Sequence, residues 1–215
     1  MVLMGIVGEL GSGKTLGLTY LTWKNWFFRR QRVYTTYKLY KIPYVLIDAS
    51  PKLDYMRDGF VAGDEFWSLC DSRCSISRKN KIVSNILLRS RKRNLQYVMT
   101  AQMIDLFDKR MRKILDFSCY PIMNPQETVC KIVIFRGGFP KTGSYMKTLY
   151  FKTPLVFDMY DTNEEVDFSD EMTPEIICFQ ESKESKPQMF ETWEEADAVA
   201  EKYWTENYKS LKGVI

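Results

Sequence analysis

The sequence predicts an α/β fold in which a central, mostly parallel β-sheet is flanked by helices. Three observations predict it. An apolar run over residues 2–7 is typical of a buried strand. The loop that follows, from Gly8 to Thr15, matches the pattern of Gly, four residues, Gly, Lys and Thr at every position. Residues 16–28 then have the pattern of a helix, and further apolar runs alternate with helical stretches along the chain.

A strand, a glycine-rich loop and a helix in this order form a P-loop, a site for a polyphosphate. The glycines let the backbone curl so that its N–H groups point inward, and the helix N-terminus adds its positive end. Lys14 is expected to reach the β- and γ-phosphates, and the Thr15 hydroxyl is expected to ligate Mg²⁺. A glycine-rich turn that precedes a lysine by chance is the alternative, and the preceding strand counts against it. Nucleotide contacts are therefore expected from Gly8, Glu9, Leu10, Gly11, Ser12, Gly13, Lys14, Thr15 and Leu16.

Charge is distributed unevenly along the 215 residues, a length that suits one α/β core with a small appendage. Residues 1–150 carry 25 Lys and Arg against 11 Asp and Glu, a net charge of +14. Residues 151–215 carry 6 against 16, a net charge of −10. The basic part suggests a polyanionic partner, although a solvated surface of mixed charge is an equally good interpretation.

The cysteine and histidine content narrows the chemistry. The chain has five scattered cysteines without a C-x-x-C pair and no histidine. A disulfide framework or a zinc site is therefore not expected, and acid–base chemistry must come from carboxylates. We find no apolar run long enough to span a bilayer and no signal peptide after Met1, so we expect a soluble, intracellular protein.

Two apolar runs end in acids and compete for the role of the metal-binding strand, the Walker B strand. Residues 44–48 end in Asp48, whereas residues 59–65 end in Asp64 and Glu65. An NTPase that hydrolyses its nucleotide needs a group that orients water beside the Asp that holds the metal shell. We therefore assign Asp64 to Mg²⁺ and Glu65 to the attacking water. Asp48 is interpreted as an ordinary acid at a strand end.

A strand over residues 95–100 leads to Gln102. We expect this amide to lie within reach of the γ-phosphate, where it can report hydrolysis; an amide that caps the following turn fits the local sequence equally well. Other elements are predicted as helices over 76–93 and 105–115, strands over 33–37, 129–136 and 145–152, a polar linker over 181–188, and a helix that begins with a capping box at Thr192. The apolar face of that last helix comprises Trp193, Ala196, Val199, Ala200 and Tyr203.

Several further motifs follow the P-loop and Asp64-Glu65 in a fixed order. They are Asp71-Ser72-Arg73, Ser90-Arg91-Lys92-Arg93, Thr100-Ala101-Gln102, Asp108-Lys109-Arg110-Met111-Arg112 and Tyr160-Asp161-Thr162. In this order the sequence resembles the zonula occludens toxin-like ATPases of phages and archaeal viruses, which belong to the FtsK/HerA-type division of P-loop motors. The resemblance covers about residues 1–165 and implies a motor domain there, followed by an acidic extension over 166–215 with a helix at about 193–208.

The resemblance implies a RecA-like core with a catalytic glutamate and an additional strand between the P-loop strand and the strand of Asp64. It implies ATP as the nucleotide, double-stranded DNA as the polymer that is moved, and a homo-oligomeric ring, commonly a hexamer. Viral members load the genome into the capsid, which implies a place in the host cytoplasm and a capsid or virion protein as a further partner. Members that export filamentous phage carry a membrane span after the core, and this chain shows none.

The resemblance also implies an arginine finger that stabilises the transferred phosphoryl group in a neighbour's site. Arg91 and Arg110, from the two basic motifs, are the candidates. Binding to the DNA backbone and simple exposure to water are the alternatives for both side chains.

Other functions are weighed against this one. A nucleotide kinase also combines a P-loop with a basic lid, but an acid pair aimed at water counts against it. A GTP-dependent switch reads guanine with Asn-Lys-x-Asp, and Asn80-Lys81-Ile82-Val83 lacks the final Asp. An ATP-dependent factor for virion assembly or export is a further alternative. So is a nucleotide-gated scaffold whose acidic C-terminal part masks the basic part until a partner displaces it.

Overall fold

A computed structural model describes residues 2–48, 52–53, 55–65, 90–103, 106–107, 109–137, 143–161 and 176–208. The strands in these ranges are β1 Leu3–Val7, β2 Arg32–Thr35, β3 Tyr44–Leu46, β4 Gly59–Gly63, β5 Leu95–Ala101, β6 Phe117–Met123, β7 Val129–Arg136, β8 Ser144–Lys152, β9 Ile177–Phe179 and β10 Gln188–Phe190. The helices are α1 Lys14–Arg29, α2 Lys109–Ile114, α3 Pro154–Phe157 and α4 Trp193–Asn207, with a 3-10 helix at Ser90–Arg93.

These strands form one sheet in the order β10-β9-β3-β2-β4-β5-β1-β6-β7-β8. The six central strands, from β3 to β6 in that order, are parallel. Antiparallel pairs extend the sheet at both ends, β7 and β8 at one and β9 and β10 at the other. The predicted mixed α/β fold with a mostly parallel sheet is therefore confirmed. One strand, β5, lies between the P-loop strand β1 and the strand β4 that leads to Asp64.

Helices cover both faces of the sheet because apolar residues line both. The α1 residues Leu18 and Trp26 are at most 1% exposed and belong to the core on one face. On the other face, Phe107 and Leu115 pack closely against β1. A Cβ atom at Gly5 would lie 3.3 Å from a methyl group of Leu115, so the small residue admits this close packing.

Strand β6 is absent from the predictions, although it lies in the middle of the sheet. Its sequence contains Pro121, and proline argues against a central strand because it lacks a backbone donor. The pairing of β6 with β1 ends at Cys119, so Pro121 lies beyond it. There the ring borders the P-loop, since a Cβ atom at Gly8 would lie 3.8 Å from Pro121 Cδ.

The acidic C-terminal segment is joined to the same core. Helix α4 begins where the capping box predicts it, with the Thr192 side chain accepting the Glu195 N–H. The Trp204 indole N–H donates to the Lys41 carbonyl at 2.7 Å, and the Trp26 indole N–H donates to Asp197 at 2.7 Å. Trp204 is 3% exposed and lies outside the predicted apolar face. In the expected linker over 181–188, residues 181–187 lie in the turn of the β9–β10 hairpin and Gln188 begins β10, so the segment joins two strands of the same sheet.

Some predictions fall wholly or partly outside the described residues. Of the helix expected over 76–93, only Ser90–Arg93 is described, and it is a 3-10 helix. Asp71-Ser72-Arg73, Asn80-Lys81-Ile82-Val83, Cys70 and Cys74 lie outside those ranges. The three described cysteines, Cys119, Cys130 and Cys178, carry free thiols. None of the helices in the described ranges is long and apolar enough to cross a membrane.

Candidate functional site

The P-loop adopts a conformation that depends on its glycines. Gly11 and Gly13 have φ angles of +74° and +89°, in the left-handed region where a side chain is strained. A Cβ atom at Gly13 would also lie 3.0 Å from Met123 Cγ, and one at Gly8 would lie 2.5 Å from Ser12 Oγ. A side chain at any of these three glycine positions would strain the loop or clash with a neighbour. The absence of side chains there lets the loop backbone approach phosphates closely.

Lys14 begins helix α1 and is 8% exposed. Its ammonium group donates a hydrogen bond of 2.9 Å to the Glu9 carbonyl at the start of the loop. Burial lowers the pKa of Lys14, and the negative charges of Asp64 and Glu65 act in the opposite direction. A buried cation held by a neutral carbonyl gains stabilisation when an anion approaches, which is what the phosphates of a nucleotide provide.

The rest of the loop divides into exposed and buried residues. Glu9 and Leu10 are exposed, Leu10 to 79%, whereas the Leu16 side chain is 1% exposed and lies in the core. Leu16 can therefore face a ligand only through its backbone. Ser12 Oγ is buried and has no hydrogen-bond partner among the described residues. A phosphate oxygen would supply the acceptor that this hydroxyl lacks, so the loop fits the group that its sequence predicts.

Asp64 follows β4 directly and faces the P-loop. Its Oδ2 accepts a hydrogen bond of 2.9 Å from Thr15 Oγ1, and its Oδ1 accepts one of 2.6 Å from Thr100 Oγ1 at the end of β5. Burial raises the pKa of Asp64, and the bonds from Thr100 and Thr15 partly offset this rise. The two residues assigned to Mg²⁺ by sequence are thus in direct contact.

Two buried threonines hold the backbone around the acids. The Asp64 N–H donates to Thr36 Oγ1 at 2.8 Å, and that hydroxyl donates to the Asp64 carbonyl at 3.1 Å. The Glu65 N–H donates to Thr100 Oγ1 at 2.8 Å. Glu65 has a φ angle of +43°, which is unusual for a residue with a side chain. Hydrogen bonds from both neighbouring strands therefore fix the turn that presents the two carboxylates.

Glu65 is exposed, and its Oε1 accepts a hydrogen bond of 3.4 Å from Gln102 Nε2. The structure thus brings Lys14, Thr15, Asp64, Glu65 and Gln102 to one end of the sheet, at the carboxyl ends of β1, β4 and β5. An exposed carboxylate beside a buried acid and a buried cation can accept a proton from water or orient it. The hydrogen bond from the Gln102 amide group is long and therefore weak, so Glu65 can turn away from it toward a ligand.

Asp48, the competing acid, follows β3, which is separated from β4 by β2. Its carboxylate forms an ion pair of 2.8 Å with Lys52. It therefore stands apart from the group of residues around the P-loop.

The two arginine-finger candidates are described by their backbone. Arg91 lies in the 3-10 helix before β5, and Arg110 lies in α2 after it. The 3-10 helix is at the amino end of β5, opposite the end that carries Thr100 and Gln102. Seven residues of strand span about 20 Å, so the backbone of Arg91 lies far from the residues around the P-loop of the same chain.

The site also suits Mg²⁺ by its chemistry. In the described part of the chain, no group of three or more His, Cys, Asp or Glu gathers that could hold a metal ion by itself, so phosphate oxygens would have to complete the shell of a bound ion. One carboxylate and one hydroxyl, Asp64 and Thr15, match the way Mg²⁺ is held when phosphates and water complete its shell.

Comparison with known proteins shows a likeness at the level of fold. No protein-family model and no curated protein matches the sequence. Among solved structures, the chain is similar to the N-terminal domain of zonular occludens toxin from Neisseria meningitidis, with a TM-score of 0.53 and 17% sequence identity. The match covers 75% of this chain and 100% of that domain. The chain therefore has a mixed α/β fold similar to that of a zonular occludens toxin N-terminal domain.

Proposed function

We propose that this protein is an ATPase of the RecA-like, additional-strand class and that it moves double-stranded DNA. The observation that carries the proposal is the position of Asp64 and Glu65 beside the P-loop, with β5 between β1 and β4. In this strand order polar residues at the end of β5 can contact the acids, as Thr100 does at Asp64 and Gln102, just after the strand, does at Glu65. The proposal has Gln102 contact the nucleotide as well. The similar fold of a zonular occludens toxin domain supports the same class.

In the proposed mechanism, the curled loop and Lys14 hold the β- and γ-phosphates. Thr15 and Asp64 would hold Mg²⁺, which would supply positive charge to stabilise the phosphate oxygens during transfer. Glu65 turns away from Gln102, orients a water molecule toward the γ-phosphate and takes its proton. Catalysis then depends on positioning and electrostatics, with little covalent work for the protein.

Gln102 is proposed to couple hydrolysis to movement. Its bond to Glu65 breaks when Glu65 engages water, which frees the amide for the γ-phosphate. The Gln102 amide would therefore bind Glu65 when the site is empty and the γ-phosphate when nucleotide is bound. Two alternative partners are what a group that reports the nucleotide state requires. Arg91 or Arg110 of a neighbouring copy is proposed to complete the site in a homo-oligomeric ring, for which a hexamer is the proposed size.

The proposed partner follows from charge. The net charge of +14 over residues 1–150 favours a polyanionic partner. Duplex DNA is such a polyanion, and it could pass through the centre of the proposed ring. We propose genome packaging in the host cytoplasm as the biological task, with a capsid or virion protein as a further partner. Residues 1–165 would be the motor, and 166–215 an extension docked on it.

Phosphate release from ATP tests this function. The wild type should release phosphate without any acceptor nucleotide, require Mg²⁺ and respond to duplex DNA. Formation of ADP that depends on an added nucleoside monophosphate, with the phosphoryl group transferred to that acceptor and no phosphate released, would assign a kinase instead. Gln102→Ala should retain basal hydrolysis but lose most of the stimulation by DNA. If basal and stimulated rates fall together in that variant, the coupling role of Gln102 is wrong.

A further inference from the structure

A cavity of about 300 Å³ lies between α1 and the sheet, at the end of the strands opposite the P-loop. Its walls are largely apolar and come from α1, the central strands and β8; they include Met4, Leu21, Phe60, Val98, Phe117 and Leu149. This volume is at the lower limit of cavities that hold small ligands. The proposed ATPase mechanism makes no use of it.

The mouth of the cavity is partly apolar and exposed. Phe28, near the end of α1, is 48% exposed, and Met146 on β8 is 50% exposed. Both line the cavity, so an apolar surface continues from its wall to solvent. Two large exposed apolar side chains beside an open cavity are typical of a binding site for an apolar group.

Cations surround the same mouth. Lys24 and Arg29 on α1 and Lys147 on β8 line the cavity, and no described carboxylate forms an ion pair with them. Arg32 begins β2 and Arg136 ends β7, and both are exposed at this end of the sheet. The described acids at this end include Asp116, which accepts the Leu3 N–H, Glu201, which pairs with Arg30, Asp197, which accepts the Trp26 N–H, and the exposed Asp58, which accepts from the Asn94 amide. The cations named here outnumber them. The surface around the cavity is therefore positive.

We propose that this end of the protein binds an anionic phospholipid surface, with an acyl chain in the cavity and the headgroup phosphates on the surrounding Lys and Arg. Cations around exposed Phe and Met side chains suit the boundary between headgroups and acyl chains. Duplex DNA satisfies the charges equally well, but it has no apolar chain to fill a cavity. The apolar cavity and its exposed rim therefore favour the lipid.

Vesicle co-sedimentation without nucleotide tests the proposal. Wild-type protein should bind vesicles of phosphatidylcholine mixed with phosphatidylglycerol and should not bind phosphatidylcholine alone. Lys147→Gln should weaken binding about fivefold, because a cation near an anionic surface contributes on that scale. Met146→Gln should weaken it severalfold. The same substitutions at the opposite edge of the sheet, Lys186→Gln and Met189→Gln, are the matched controls and should bind as the wild type.

The outcomes separate this proposal from the proposed function. Equal binding to both vesicle types, or no loss for Lys147→Gln and Met146→Gln, would overturn it. Duplex DNA that binds through these residues while anionic vesicles do not would assign the surface to nucleic acid and also overturn it. Soluble dihexanoylphosphatidylglycerol should compete with the vesicles, since it can fill the cavity alone. Lipid binding is read without ATP, so a protein that fails to hydrolyse ATP leaves this result unaffected.

Discussion

Thr100 Oγ1 donates a hydrogen bond of 2.6 Å to Asp64 Oδ1 from the neighbouring strand. The same oxygen accepts the backbone N–H of Glu65 at 2.8 Å. One buried hydroxyl, 0% exposed, therefore orients the carboxylate assigned to the metal and the backbone of the residue assigned to water. Since Glu65 has a positive φ angle, this bond also helps to hold a strained turn.

Thr100→Val is expected to reduce kcat for ATP about tenfold to a hundredfold while nucleotide affinity changes little. Valine has the shape of threonine but cannot make either hydrogen bond, and bonds to charged groups contribute about 1.5–3 kcal/mol each. Thr100→Ser, which keeps the hydroxyl, should restore most of the rate. Steady-state kinetics and equilibrium nucleotide binding distinguish the two effects. A valine variant with normal kcat would show that Thr100 does not position the acids.

Asp64→Asn is expected to raise the melting temperature of the nucleotide-free protein at neutral pH. Burial raises the pKa of Asp64, so the folded protein holds its proton more tightly than the unfolded chain does. Stability from this group is then present at low pH and is lost as pH rises through the folded-state pKa. The gain in the variant should therefore shrink as the pH falls through the folded-state pKa of Asp64 toward the usual pKa of Asp, and it should stay constant at lower pH.

Thermal unfolding in the presence of EDTA at several pH values measures this difference. Asp58→Asn, at an exposed acid, is the control and should show no such pH-dependent gain. A gain for Asp64→Asn that is the same at every pH, or a loss throughout, would contradict the expectation.

Trp204→Ala is expected to destabilise the protein by about 3–5 kcal/mol, as loss of a large buried side chain does. Its ring centroid lies 5.8 Å from that of Trp23 and 5.7 Å from that of Phe27, and its N–H binds the Lys41 carbonyl. Chemical denaturation should show the loss. Glu206→Ala, at an exposed position of the same helix, should stay within about 0.5 kcal/mol. A small effect of Trp204→Ala would mean that α4 docks only weakly.

The position of α4 also bears on the idea that an acidic tail masks the basic part. Deletion of residues 181–215 would remove Trp204 and strand β10 along with the acidic charge, so a change in DNA affinity would have two causes. Neutral substitutions at exposed acids of α4, such as Glu194→Gln and Glu206→Gln, separate charge from packing. If the acidic segment masks the basic part, a variant that carries both substitutions should bind DNA more tightly at low salt and should lose no stability.

Strong local patterns allowed much of the sheet to be predicted. Strand β7 was expected over 129–136 and is Val129–Arg136, because a long run of β-branched and aromatic residues is unambiguous. The P-loop and α1 followed from a motif with fixed spacing. Strands β9 and β10 were not predicted, because three residues each give no periodicity and their polar turn is typical of a linker.

The residues of the candidate site that would do the chemistry could be predicted from sequence motifs. The residues that hold them in position from neighbouring strands were missed. Lys14, Thr15, Asp64 and Glu65 are each marked by a motif. Thr36 is an unmarked threonine at the end of a predicted strand, and Thr100 belongs to a motif in which only Gln102 received a role. What both threonines do depends on which strands lie side by side. Strand order is a non-local property, so no local pattern could reveal that both residues hold the turn after β4.

The central claim is that Glu65 activates water at a nucleotide held by the P-loop, and Glu65→Gln tests it most directly. Phosphate release and equilibrium binding of ATP should be measured on the same preparations of wild type and variant. We predict that hydrolysis falls by about a hundredfold to ten-thousandfold, the scale of a lost general base, while ATP binding is retained. Equal hydrolysis by both proteins, or a wild type that binds ATP and never hydrolyses it with or without duplex DNA, would contradict the account.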